Sequence, residues 1–165
     1  MIRPAVLADL DALVRLENVF PGDRISRKSF RHLLLHGHAS VVVYDEGQRV
    51  TGNAVVLYRR GSSSARIYSL VIDPARQGRG IGRALLEAAE QTAAAKGCVA
   101  LHLEVRADNE VALALYEKAG YDCTGRIDGY YQDQMAAQRL RKGISKNSIK
   151  TRGQGGNGRK SGVYT

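Results

Sequence analysis

Apolar positions along the chain change their spacing several times, and each change marks an element. After an extended start at residues 1–4, Leu7, Leu10, Leu13, Val14 and Leu16 recur three and four apart, the period of a helix with one buried face. Phe20-Pro21-Gly22-Asp23 ends that pattern. Ser26 is placed to cap a second helix reaching His36, with Phe30, Leu33 and Leu34 inward and Gly37 closing it. Apolar runs at 41–44 and 50–58 flank Asp45-Glu46-Gly47-Gln48, and a third at 66–72 follows the Gly61-Ser62-Ser63-Ser64 loop; together they predict an antiparallel meander. Helical spacing returns with Ile81, Leu85, Leu86, Ala89 and Ala93 and stops at Gly97. A strand over 99–105, a helix capped by Asp108 or Asn109 and running to Ala119, a strand over 120–125 and a weak last strand at 135–140 complete the reading.

The chain has 165 residues, 44% of them hydrophobic, which suits one domain with a single core. No apolar run approaches the length of a membrane span, and the N-terminus lacks a secretory signal pattern, so a cytoplasmic protein is expected. Cys98 and Cys123 have no metal-ligand spacing and read as two small core hydrophobes; no metal is expected. The net charge of +9 changes meaning once it is located. Arg139, Arg141, Lys142, Lys146, Lys150, Arg152, Arg159 and Lys160 meet no acid between 138 and 165, which leaves 17 basic and 16 acidic residues before them. A near-neutral domain over 1–140 and a basic Gly/Ser-rich tail over 141–165, of disordered composition, are therefore expected. As a nucleic-acid module, such a tail would bind weakly and salt-dependently, and it lacks interleaved aromatics.

The chemistry concentrates between Leu70-Val71-Ile72 and the helix that begins near Ile81. There Gln77-Gly78-Arg79-Gly80-Ile81-Gly82-Arg83 puts glycines between a strand and a helix start, where unpaired N–H groups and the positive end of the helix dipole attract an anion. A Walker loop requires Lys-Ser/Thr after its last glycine, and Arg83-Ala84 stands there instead. A dinucleotide fingerprint starts correctly at Gly78 and Gly80, but Arg83 occupies its third glycine position, and too little chain follows for a doubly wound sheet.

The remaining pattern, Gln/Arg-x-x-Gly-x-Gly/Ala, resembles the GNAT N-acetyltransferase superfamily over roughly residues 1–137. Asn109 and Leu115-Tyr116, one strand and one helix later, stand where that superfamily would have them. Residues 103–121 look like the RimI-like, ribosomal-protein-alanine N-acetyltransferase branch, and Phe20-Pro21 and Tyr130-Tyr131 agree with it. The chain departs from that branch at Gly129, where an asparagine is expected, and at Gln132, where a proline is. The resemblance implies an α+β fold: a central, mostly antiparallel twisted sheet of six to seven strands flanked by about four helices. It also implies acetyl-CoA as cofactor and, as acceptor, a peptide or protein N-terminus such as that of a ribosomal protein; a lysine side chain or small amine is the alternative.

Direct attack of an amine on a thioester requires a neutral nucleophile, a place for the oxyanion and a proton for the thiolate. An α-amine of pKa about 7.7–8.0 is roughly a tenth neutral at pH 7, whereas a lysine of pKa about 10.4 is neutral about once in 2,500 molecules. The α-amine therefore asks less of a base. The resemblance gives Glu104 that role, directly or through water, and Tyr116 the role of acid. Leu70, Val71 and Ile72 would pair with pantetheine, the Val71 N–H would face the oxyanion, and residues 77–83 with Asn109 would hold the cofactor. Phe20, Pro21, Tyr130 and Tyr131 would line the acceptor. A Glu104 that points outward or pairs with Arg106, a Tyr116 that only packs, and tyrosines on an ordinary hairpin are the competing readings.

Overall fold

The computed structural model describes residues 1–20 and 24–144; Pro21, expected to line the acceptor, and the tail from 145 lie outside the described residues. Seven strands, β1 (Ile2–Pro4), β2 (Ala39–Asp45), β3 (Val50–Leu57), β4 (Ser64–Ile72), β5 (Ala100–Arg106), β6 (Asp122–Ile127) and β7 (Ala137–Gly143), form one open sheet in the order β1-β2-β3-β4-β5-β7-β6. Helices α1 (Leu10–Asn18), α2 (Arg27–Leu35), α3 (Ile81–Ala95) and α4 (Glu110–Lys118) flank it, so the α+β architecture matches the expectation. Every strand pair is antiparallel except β4 with β5.

Local signals place these elements well. The Ser26 hydroxyl accepts from the Ser29 N–H at 3.1 Å and starts α2. Asn109, not Asp108, caps α4: its Oδ1 accepts from the Ala112 N–H at 3.1 Å. The helical period read from Leu7 resolves into a 3-10 turn at Leu7–Asp9 followed by α1.

Two apolar clusters lie on opposite faces of the sheet. One joins α3 and Tyr116 of α4 to inward residues of β2–β5 and β7, including Leu70, Ile72, Leu103, Val105 and Leu140. The other joins α1 and α2 to Val41, Val43, Val50, Val55 and Val71. The second cluster draws on β2, β3 and β4 only, so the sheet is sandwiched by helices on one side of its midline and covered on a single face on the other.

The last strand differs most from its sequence reading. β7 runs to Gly143 and Ile144 is buried, past the boundary read at 140, and β7 lies between β5 and β6. Its apolar alternation is concealed because Lys142 stands on the covered face, where its Nζ reaches Glu90 of α3 at 3.0 Å. The Tyr121 hydroxyl donates to the same carboxylate at 3.0 Å. Of the two cysteines read as core, Cys98 is buried but Cys123 is exposed, because β6 is an edge strand with little over it. No helix among the described residues is long and apolar enough to cross a membrane.

Candidate active site

The strand and the glycine turn meet where the sequence placed them. After Ile72, Asp73 accepts from the Ala75 N–H at 3.0 Å, a short 3-10 turn covers Pro74–Arg76, and a turn through half-buried Gln77 and exposed Gly78 and Arg79 leads to Gly80, the N-cap of α3. Gly78 and Gly80 sit at φ 80° and 79°, the left-handed region that costs side chains bearing a Cβ. Without a side chain at the cap, and with no acid in the first turn, the N–H groups of Ile81, Gly82 and Arg83 keep their attraction for an anion. Arg83 pairs with Glu87 at 3.2 Å on the exposed face, and Arg76 with Glu46 at 2.9 Å.

A residue that sequence patterning passed over brings α3 this close. A Cβ on Gly52 of β3 would lie 2.9 Å from the Leu85 Cδ1, 3.2 Å from the Val71 carbonyl oxygen and 3.3 Å from the Ile81 Cγ2. Gly52 therefore lets the first turns of α3 seat directly on β3 beside β4.

Beside that helix start the sheet splits. β4 and β5 pair only through Ser64 with Ala100, Ala65 with Leu101 and Arg66 with His102; beyond these, β4 remains paired with β3 and β5 with β7. The Asp73 N–H donates to the Thr51 carbonyl at 2.7 Å, and antiparallel pairs alternate, so Val71 directs its backbone groups to Asn53 of β3. Leu70 and Ile72 direct theirs toward the β5 side. This corrects the expectation that the Val71 N–H faces the oxyanion.

Glu104 stands on the β5 wall of the split. Its side chain is 8% exposed; Oε2 accepts from the Arg66 Nε at 2.9 Å, and Oε1 lies 3.4 Å from the Arg139 Nη2. It is thus both salt-bridged and in the cleft, and its partner is not Arg106. A carboxylate has about four acceptor sites, so two ion pairs leave room for a third donor. Arg66 and Arg139 were not singled out from the sequence, because only the register across β4, β5 and β7 brings them to Glu104.

Tyr116 is fully buried, edge-on to Tyr121 with ring centroids 5.4 Å apart, in the cluster that holds Leu70 and Ile72 of β4 and Leu103 and Val105 of β5. Asn109 lies at the start of the same helix, its side chain engaged as the cap. Across the entrance, the Arg66 Nη2 donates to the Tyr130 hydroxyl at 3.2 Å, and Tyr130 meets Tyr131 edge-on at 5.0 Å. Arg106 lies 5.0 Å over the Tyr131 ring while pairing with Asp133 at 2.6 Å and Asp108 at 3.1 Å, which pins the β6–β7 loop. Burial, with Tyr130 nearby, pushes the Tyr131 phenol up to about 12. Gly129 has φ 62°, a region that asparagine also enters, so the departure there preserves the turn. Phe20 packs at the margin of the α1–α2 cluster, its carbonyl accepting from the Arg24 Nε at 3.1 Å.

A family model described as "Acetyltransferase (GNAT) family" matches residues 8–121. The chain belongs to the GNAT acetyltransferase family. Among GNAT relatives, N-alpha-acetyltransferase RimI of Mycobacterium tuberculosis is 38% identical over 106 residues, 63% of this chain and 65% of that protein. The [ribosomal protein bS18]-alanine N-acetyltransferase of Salmonella typhimurium is 45% identical over 67 residues, 41% of this chain and 45% of that protein. These matches thus span less than two thirds of either relative's length. The crystal structure of the Escherichia coli ribosomal-protein-S18-alanine N-acetyltransferase superposes with a TM-score of 0.78 at 27% identity, covering 89% of this chain and 97% of that one.

Proposed function

We propose that this chain is an acetyl-CoA-dependent N-acetyltransferase whose acceptor is a protein N-terminal α-amine, of the type that the relatives named for ribosomal protein bS18 modify. One observation carries the reading: β4 and β5 separate beside a glycine-capped helix start, with the carboxylate of Glu104 held on the wall of the opening.

The residues fit the cofactor. The φ-positive glycines and uncapped N–H groups of α3 suit a pyrophosphate, with Gln77, Arg79 and Arg83 around it. The backbone of Leu70 and Ile72 suits the amides of an extended pantetheine chain, and Asn109, the N-cap of α4, is the further residue proposed to hold the cofactor. Acetyl-CoA supplies an electrophilic thioester carbonyl and a thiolate leaving group. Glu104 takes the proton that the α-amine must lose, directly or through one water, while Arg66 and Arg139 fix the carboxylate in place. Tyr116 would give the phenol proton that the departing thiolate needs. Phe20, Tyr130 and Tyr131 hold the peptide end. An α-amine suits this arrangement better than a lysine because the free amine is already present near neutral pH.

An acetyl-transfer screen separates the acceptor classes. Peptides beginning with free Ala or Ser are expected to be acetylated at least tenfold faster, in kcat/KM, than N-terminally blocked peptides containing lysine. Equal or faster transfer to the blocked set contradicts the α-amine reading.

A further inference from the structure

We infer that Glu17 is a positioning residue for the acceptor: from the last turn of α1 its carboxylate fastens the entry to α2 onto β4, beside the opening between β4 and β5. This rests on the N-terminal acetyltransferase reading, in which Phe20 lines the acceptor and the Leu70 backbone meets the cofactor. It names a residue that holds the two relative to each other.

The carboxylate is shared between two elements far apart in sequence. Its Oε1 accepts from the Ser69 hydroxyl of β4 at 2.8 Å, and its Oε2 from the Ile25 N–H at 3.4 Å, one residue before the Ser26 cap of α2. The backbone of the same residue holds the other flank. The Phe20 N–H donates to the Glu17 carbonyl at 3.3 Å, and the Phe20 carbonyl accepts from the Arg24 Nε at 3.1 Å. Phe20 on one side and Ile25 on the other are thus tied to one glutamate.

Ser69 reaches Glu17 because β4 carries an extra residue. Ser69 pairs with Val55 of β3 and Ile67 with Val56, which leaves Tyr68 as the added residue of a bulge. Ile67, Leu70 and Ile72 all join the α3 cluster, a spacing of three and then two that a regular strand does not give. The bulge turns Ser69 toward α1, while Leu70, the next residue, directs its backbone groups toward the β5 side. Ser69 also lies beyond Arg66, the last residue of β4 that pairs with β5. A strand that is bulged and paired along one edge only needs a hold from its flank, and the Glu17 carboxylate supplies one.

An apolar side chain would close this face of the sheet with less loss of stability. Glu17 is 5% exposed, on a helix that also buries Leu13 and Leu16, and burial raises its pKa, so the charged form is disfavoured where it stands. Its partners at 2.8 and 3.4 Å are a hydroxyl and a peptide N–H, not a cation. An ionised carboxylate accepts on both oxygens and can hold these two donors at once; an apolar residue holds neither. A perturbed carboxyl kept at such a junction points to a working group.

The test uses the full chain, acetyl-CoA and an Ala-initiated peptide, with peptide KM, kcat and acetyl-CoA affinity measured on each variant. E17A is expected to raise the peptide KM about tenfold, the scale of one hydrogen bond to a charged group, with kcat within about twofold of wild type and acetyl-CoA affinity retained. S69A, which removes the hold on β4 and leaves the carboxylate, should raise KM roughly threefold to tenfold in the same pattern. E17Q keeps an acceptor for the Ile25 N–H and a donor for Ser69, so it should reverse most of the rise seen in E17A. Acetyl-CoA affinity reports folding; where E17A loses it, S69A decides alone. A wild-type peptide KM in S69A and in folded E17A, a change confined to kcat, or a rise that E17Q does not relieve overturns the positioning role. Absence of transfer by the wild-type protein to every free-amine peptide overturns the α-amine reading, and this inference with it.

Discussion

Strands β3 and β5 lie one strand apart in the same sheet and are built to opposite specifications. β3 is buried from Val50 through Val56 because helices cover both its faces, so its sequence runs nearly without alternation. β5 alternates, with Leu101, Leu103 and Val105 buried and His102, Glu104 and Arg106 partly exposed, because helices cover only one face. The covered half holds the frame, and the half-covered one presents charged side chains. The difference teaches where charged side chains can be held close to the core in this fold: at the boundary where one helix layer ends and the strands part.

Substitutions on the two sides should therefore fail differently. The largest effect is expected at the boundary itself. Gly80→Asp puts a carboxylate and a Cβ at a φ 79° N-cap facing the anion site, and acetyl-CoA affinity should fall more than 100-fold in a binding titration while the fold persists. Retained affinity would remove the glycine turn from the cofactor site. In the covered half the cost should appear as stability. Gly52→Ala drives a Cβ against Leu85, Ile81 and the Val71 carbonyl, and denaturant unfolding should show a loss of about 1–3 kcal/mol.

A smaller, pH-dependent effect is expected at Glu17, a carboxylate buried under that same half. Its Oε1 accepts from the Ser69 hydroxyl at 2.8 Å and its Oε2 from the Ile25 N–H at 3.4 Å, yet burial raises its pKa. Between the unfolded value, about 4.3, and the raised folded one, the folded state keeps a proton that the unfolded state has lost. Stability therefore falls as pH rises through this window, and the penalty is fully present above it. Glu17→Gln should raise Tm by about 2–4 °C at pH 7, with the gain vanishing near pH 4; a gain independent of pH would assign the effect to packing.

The same contrast explains what could be read from the sequence. The glycine turn, the Ser26 cap and the α3 periodicity are local, and each was legible from neighbouring residues. The partners of Glu104 were not, since Arg66 and Arg139 lie 38 and 35 positions away in sequence, and only the strand register joins them. β7 was underestimated because a paired lysine, Lys142, replaces an apolar residue on its covered face. Cys123 was placed inside by residue type, but an edge strand left it outside. Gly52 was invisible because a glycine within a strand does not announce the helix that presses against it.

The most direct test of the account compares wild-type protein with Glu104→Gln in steady-state acetyl transfer to an Ala-initiated peptide, with acetyl-CoA affinity measured on both. A fall in kcat of roughly 10²–10⁴-fold with cofactor affinity retained is the predicted result. Unchanged turnover in Glu104→Gln would contradict the assignment of proton removal to the carboxylate at the parting of β4 and β5.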